Sequence, residues 1–158
     1  MKKAVLGIGF AILIIVLGVA TLAAAPGTMN ASITSPEIEG TWLATIPSPG
    51  GDEFPSLVTF ARGGALIVTD GGTRPAVGNV YQGTWVMTGP HEYTFTFLGF
   101  VYEDESVLTG YFRVHEIVQV DPGGNSYISD STGEFLDLDM NVIFSFESTN
   151  SATRIDAN

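Results

Sequence analysis

From Ile38 to Ile155 apolar and polar residues alternate in short runs rich in Val, Ile, Phe, Tyr, Trp and Thr, and no run repeats at helical spacing. The alternation predicts eight strands, over residues 38–46, 56–61, 65–70, 80–88, 92–102, 107–120, 126–138 and 141–155. Turn residues punctuate them: Arg62-Gly63-Gly64, Gly89-Pro90-His91, Glu103-Asp104-Glu105-Ser106, Asp121-Pro122-Gly123-Gly124-Asn125 and Asp139-Met140-Asn141. Links this short make sequence neighbours antiparallel. A sheet of such strands has two unpaired edges, and closing it on itself removes both. The expected fold is therefore all-β, a single eight-stranded antiparallel up-and-down barrel, with a β-sandwich of the same strands as the alternative. A barrel of this size is either filled by its own side chains or admits one small ligand.

Upstream of the strands the pattern is different. Residues 4–25 are apolar without a single charge, preceded by Lys2 and Lys3 and ending in small residues. That is the layout of a secretory signal peptide, 1–25. The run is also long enough to cross a bilayer as an N-terminal membrane anchor, since roughly 20 apolar residues span the hydrocarbon core. Pro26 weakens cleavage at Ala23-x-Ala25, whereas cutting after Ala23 avoids it. Positive charge before the run places the remainder outside in either case, secreted or periplasmic, or anchored to the outer face of the membrane. Residues 26–37 form a polar, proline-bounded linker to a barrel domain over 38–158.

Charge narrows the partners. The 158 residues are 45% hydrophobic and 15% charged, which excludes a disordered chain. Six Lys+Arg oppose 17 Asp+Glu, and both Lys precede the apolar run. The chain beyond that run carries four Arg against all 17 acids, a formal charge of -13. Such a surface lacks the clustered cations that neutralise phosphate, so no nucleic acid is expected as a partner, and membrane contact only through an uncleaved N-terminus. With no Cys there is no disulfide and no lipidated cysteine. His91 and His115 are the two His, too few for a zinc or copper site, and no metal or other cofactor is expected.

One short motif occurs twice, as Gly40-Thr41-Trp42 on the first strand and Gly83-Thr84-Trp85 on the fourth. Removing a Cβ before a buried Trp lets the backbone bend or a large ring cover it. Gly40-Thr41-Trp42, together with Arg154 near the end of the last strand, resembles the G-x-W signature and closing Arg of the lipocalins and wider calycins. The chain from Glu39 to Ile155 is similar to small secreted bacterial barrels of that kind. The resemblance implies that Trp42 and Arg154 close one end by a cation-π contact and that one small apolar molecule is bound inside. The usual C-terminal helix and disulfides of lipocalins are missing. Allene oxide cyclase and dirigent barrels, which also lack that helix, are the second resemblance, and imply a cofactor-free isomerase or cyclase.

Period two selects the candidate site residues. Tyr93, Phe95 and Phe97 share one face of the fifth strand, and Leu98, Phe100 and Tyr102 take the other. Phe95, Phe97, Phe112, Val114 and Phe146 are expected to line the interior, as core packing or as a ligand cavity. An apolar outer face on the fifth strand points to a covering loop or a homo-oligomer, and an oligomeric surface module is a third functional class. On the sixth strand Glu116 falls among the apolar positions. An inward carboxylate is costly, so Glu116 sits at the mouth, pairs with an Arg, or keeps a raised pKa suited to general acid or base work. His115 points to the opposite face and is expected in solvent.

The seventh strand is ambiguous, with Asp130, Thr132 and Glu134 on one face and Ser129, Ser131 and Gly133 on the other. If Glu134 faced inward it would meet Glu116 as the carboxylate pair that glycoside chemistry uses. Asp137-x-Asp139-x-Asn141 matches half of a calcium loop, but Val142 replaces the required Gly and Ser148 the bidentate Glu, so a hairpin turn is expected. No Ser sits in a nucleophile elbow, and no Gly pair precedes a helix that would cradle phosphate.

Overall fold

In the computed structural model, which describes residues 36–48, 50–75, 78–104 and 106–156, eight strands close into one antiparallel barrel. They are β1 (Gly40–Pro47), β2 (Glu53–Phe60), β3 (Ala65–Asp70), β4 (Val80–Gly89), β5 (Glu92–Glu103), β6 (Val107–Val120), β7 (Ser126–Leu136) and β8 (Val142–Arg154). Each pairs with its neighbours in sequence, and β1 meets β8 through a short seam running from Trp42↔Arg154 to Thr45↔Ser151. The architecture is the up-and-down barrel expected from the alternation, not a sandwich. The expected signal peptide or anchor, and all of the linker before Pro36, lie outside the described residues.

Of the strands expected, β2 begins earlier, at Glu53, and two other boundaries move inward for clear local reasons. β1 starts at Gly40, because Ile38 belongs to a turn in which the Glu39 amide donates to the Pro36 carbonyl at 3.0 Å. β7 stops at Leu136, because the next residue organises a turn of its own. One Asp137 carboxylate oxygen accepts the amides of Asp139 at 3.0 Å and Asn141 at 2.8 Å, while the other takes the Asn141 side chain at 3.0 Å. These donors hold the Asp137 carboxyl below its ordinary pKa, the Asn141 side chain most of all. The acidic half-motif is thus a hairpin turn.

Alternation decides which side chains meet inside. The end reached by the β2–β3, β4–β5 and β6–β7 connections is solid: Ile38, Trp42, Phe60, Leu66, Tyr93 and Val118 are each at most 1% exposed. Burying a large apolar side chain contributes roughly 1.5–3 kcal/mol, so this floor holds much of the stabilising surface. The opposite end, where β1–β2, β3–β4, β5–β6 and β7–β8 turn, is the mouth.

Residues directly opposite on neighbouring strands share a face. The register therefore arranges the interior of β5 to β8 in rows. Nearest the floor is Tyr93, Val118, Ser129 and Asn150; next is Phe95, Glu116, Ser131 and Ser148; then Phe97, Val114, Gly133 and Phe146. Polar groups on β6, β7 and β8 thus cross one wall at mid-height, in two successive rows below the apolar row of Phe97, Val114 and Phe146.

Candidate functional site

The floor is locked by the first of the two repeated motifs. Arg154 lies across from Trp42 in the β1–β8 register, and its guanidinium carbon sits 4.2 Å from the indole centroid. The same guanidinium donates to three carbonyls: Gly124 at 2.7 Å, Glu39 at 2.7 Å, and Glu37. Gly40 is required beneath it. Its φ is +128°, and a Cβ there would lie 2.7 Å from Arg154 Nη1. Trp42 Nε1 donates to the Ile38 carbonyl at 2.9 Å, so the buried indole carries no unpaired donor. The second motif does a different job. Trp85 Nε1 reaches the Ala61 carbonyl at 2.9 Å and its ring packs edge-on against Phe60 and Tyr93. At Gly83 the neighbouring strand, not a guanidinium, occupies the place of a Cβ, where the Thr96 carbonyl oxygen would collide with it.

Glu116 is the centre of the polar row. It is 5% exposed, sits at mid-barrel and shares its cavity with no Arg among the described residues, so neither the mouth nor an ion pair accommodates it. Ser129 donates its hydroxyl to Oε1, and the Asn150 side chain lies near enough to favour the ionised carboxyl. Burial pushes the pKa of Glu116 from the ordinary 4.5 up to about 7, against the pull of those two side chains. The network continues along the wall: Asn150 Nδ2 donates to Ser131 Oγ at 3.2 Å, Ser131 and Ser148 hydroxyls meet at 2.8 Å, and Ser148 reaches Asn150 Oδ1 at 3.0 Å. Above the floor Tyr127 stands near enough for the Glu116 charge, after burial, to help raise its phenol well above the ordinary value.

Between this row and the mouth the barrel is hollow. A cavity of about 110 Å³ opens against Glu116, Ser131, Ser148 and Asn150, with Phe95 and Phe97 beside them on β5 and Val58 and Val68 on β2 and β3. Phe112, Val114 and Phe146 complete the upper wall, so all five aromatic and aliphatic residues expected inside face this space. Toward the mouth it shares Phe54, Asp70, Tyr81, Phe112 and Phe146 with a vestibule of about 250 Å³ that extends to Phe100 and Tyr102. The hollow has a backbone cause. The Phe146 ring lies over Gly133, where a Cβ would come within 2.5 Å of its Cζ, so the missing side chain lets the ring lie against the wall.

Other candidates do not join the site. Glu134 faces outward, opposite Arg113, and the pair meets at 2.7 Å. The Glu116–Glu134 pair considered from sequence is therefore not formed, because Glu116 stands opposite Ser131 and its neighbours one residue away point through the sheet. His115 is exposed and meets the Thr96 hydroxyl at 3.0 Å. Phe100 is 54% exposed, and the β3–β4 connection comes close to its backbone at Gly78.

Ser129, Ser131, Ser148 and Asn150 were not among the sequence candidates. Their signal was the alternation of small polar residues with Tyr127 and Gly133 on one strand and with Phe146 and Ala152 on the next. Period alone does not separate it from the equally polar opposite face. No protein-family model matches the sequence, and no curated protein matches it either.

Proposed function

We propose that the protein is a lipocalin-like carrier, exported from the cytoplasm, that holds one small, mostly apolar molecule inside its barrel. The observation that carries this reading is the aromatic cavity with a satisfied polar row on one wall. A protein interior is ordinarily packed to crystal-like density, and a hollow bounded by apolar surface and a few convergent polar groups is what small-molecule sites have in common. The stacked Trp42 and Arg154 support the lipocalin-like part of the proposal. Native mass spectrometry of gently purified protein, before and after organic extraction, tests it. One extractable mass per chain is the expected result. A protein that stays ligand-free and oligomeric would instead favour a structural surface module built on exposed residues such as Phe100 and Phe144.

The buried Glu116 favours a second reading, a cofactor-free isomerase or cyclase in which this carboxyl moves a proton on the bound molecule. Incubating the extracted compound with fresh protein separates the two. A carrier returns it unchanged, whereas an isomerase produces a second compound of identical mass, and Glu116→Gln abolishes that product.

A further inference from the structure

The proposed cavity carries a chemical bias beyond its apolar character. Two carboxylates line it, Glu116 deep on the β6 wall and Asp70 toward the mouth, and among the described lining residues there is no Lys, Arg or His. Several rings turn toward the same space, Tyr81, Phe95, Phe97 and Phe112 among them. Ring faces carry negative quadrupole density and attract a cation within about 6 Å. Resting on the reading that this cavity binds a small molecule, we infer that it selects a small amine, held as its ammonium ion on an aromatic or branched aliphatic body, with Glu116 as counter-ion.

The hydrogen-bond inventory favours a donor over an acceptor as ligand. An ionised carboxylate offers about four lone-pair sites, and Ser129 takes one of those on Glu116 while the Asn150 amide donates to Ser131. The hydroxyls nearby are already engaged, Ser129 with Glu116 and Ser131 with Ser148. An incoming ammonium therefore finds free acceptors, while a fatty acid or phosphate meets two carboxylates and no cation among the described lining residues. Asp70 is held in place by the Gly72 amide at 2.6 Å, the Thr73 hydroxyl at 2.7 Å and the Tyr81 phenol at 3.3 Å.

The mouth supports the same sign of charge. Asp52, Glu53, Glu103, Asp104, Asp137 and Asp139 stand at strand ends or connections there, and Arg74 is the cation among the described residues of those connections. A narrow opening lined by one sign of charge concentrates counter-ions and steers them inward. At the opposite end Arg62, Arg154 and His91 accompany the acids.

Binding balances as a proton exchange. Where Glu116 is protonated, entry of an ammonium ion ionises it and releases one proton to solvent; where it is already ionised, the ammonium enters without release. The other titratable groups facing Glu116 or the cavity are Tyr127, Asp70 and Tyr81, whose phenol is pushed up to about 12 by burial and then by Asp70. The affinity for an amine consequently rises with pH up to about 7 and levels off above it.

Isothermal titration of three probes of matched shape, benzylamine, benzyl alcohol and benzoate, into protein expressed from the full 158-residue sequence tests the inference. At pH 8 benzylamine should bind at least tenfold more tightly than benzyl alcohol, and benzoate should not bind. Glu116→Gln should remove the preference, so that within the variant benzylamine binds no more tightly than benzyl alcohol. Equal binding of amine and alcohol, or a preference for benzoate, overturns the amine inference and leaves the cavity reading standing. If none of the three binds, the cavity reading itself fails and takes the inference with it. The wild-type ratio decides even if the variant does not fold.

Discussion

The floor and the polar wall are built from the same eight strands to opposite ends. At the floor, large rings interlock around Trp42, and the one buried polar requirement of that indole is met by a backbone carbonyl 2.9 Å away. At mid-height the wall places a carboxyl where burial disfavours its charge, surrounds it with small hydroxyls and leaves empty space in front of it. Close packing explains the floor completely. It does not explain the wall, since a carboxyl and a void both cost stability in a core. The contrast sets a region explained by stability beside the one on which the proposed function rests.

Breaking the floor should have the largest effect. Trp42→Ala removes a fully buried indole and the surface on which Arg154 stacks. Truncating a buried aromatic side chain costs roughly 3–5 kcal/mol, enough to unfold a domain of ordinary stability. Thermal or urea denaturation followed by circular dichroism measures it, and an unchanged melting temperature would refute the closing role of Trp42.

The wall should respond to pH instead. Glu116 binds its proton more tightly in the fold, at about 7, than in the unfolded chain at 4.5. Its contribution is fully present below pH about 4.5 and is lost as pH rises to about 7, after which it stays lost. The loss is of the order of 3 kcal/mol across that window. Urea midpoints of wild type and Glu116→Gln, compared from pH 4 to 8, isolate this group from the other carboxyls. Parallel curves for the two proteins would show that Glu116 has no raised pKa.

Two smaller changes sharpen the comparison. Arg154→Ala frees the Gly124, Glu39 and Glu37 carbonyls and exposes one face of Trp42, which should cost about 2 kcal/mol at the floor without altering the cavity. Gly133→Ala should cost about 1 kcal/mol, since the Phe146 ring can swing away from the new methyl group. Its main consequence is steric: the displaced ring enters the cavity and lowers the occupancy seen by native mass spectrometry. An unchanged occupancy would mean that the glycine does not shape the space.

These two regions were not equally legible in the sequence. The strand count, the closure and the inward face of β6 follow from alternation between turn residues, because on β6 one face is apolar; on β5 Tyr93, Phe95 and Phe97 mark the inward face, although Leu98, Phe100 and Tyr102 make the other face apolar as well. Glu116 was visible as the polar exception within such a face. On β7 both faces are polar, with Ser129 and Ser131 on one and Asp130 and Glu134 on the other, so hydrophobic pattern offers no choice. What decides it is a pairing between strands, Glu116 opposite Ser131 and Arg113 opposite Glu134, which is not a property of either strand alone. The same holds for the cavity: its shape depends on Phe146 lying over Gly133, two residues that are distant in sequence and adjacent in the sheet.

The short β1–β8 seam has a consequence for how the molecule assembles. Every other ladder joins strands adjacent along the chain and can zip outward from its own turn, whereas the seam pairs Trp42 with Arg154 across almost the whole domain. Loop-closure entropy makes such a distant contact late and slow to form. Until it forms, β1 and β8 are open edges able to recruit strands from other chains. Arg154, which gathers carbonyls from both the start of the domain and the β6–β7 turn, is then a clasp that determines how long a nascent barrel remains at risk of aggregation.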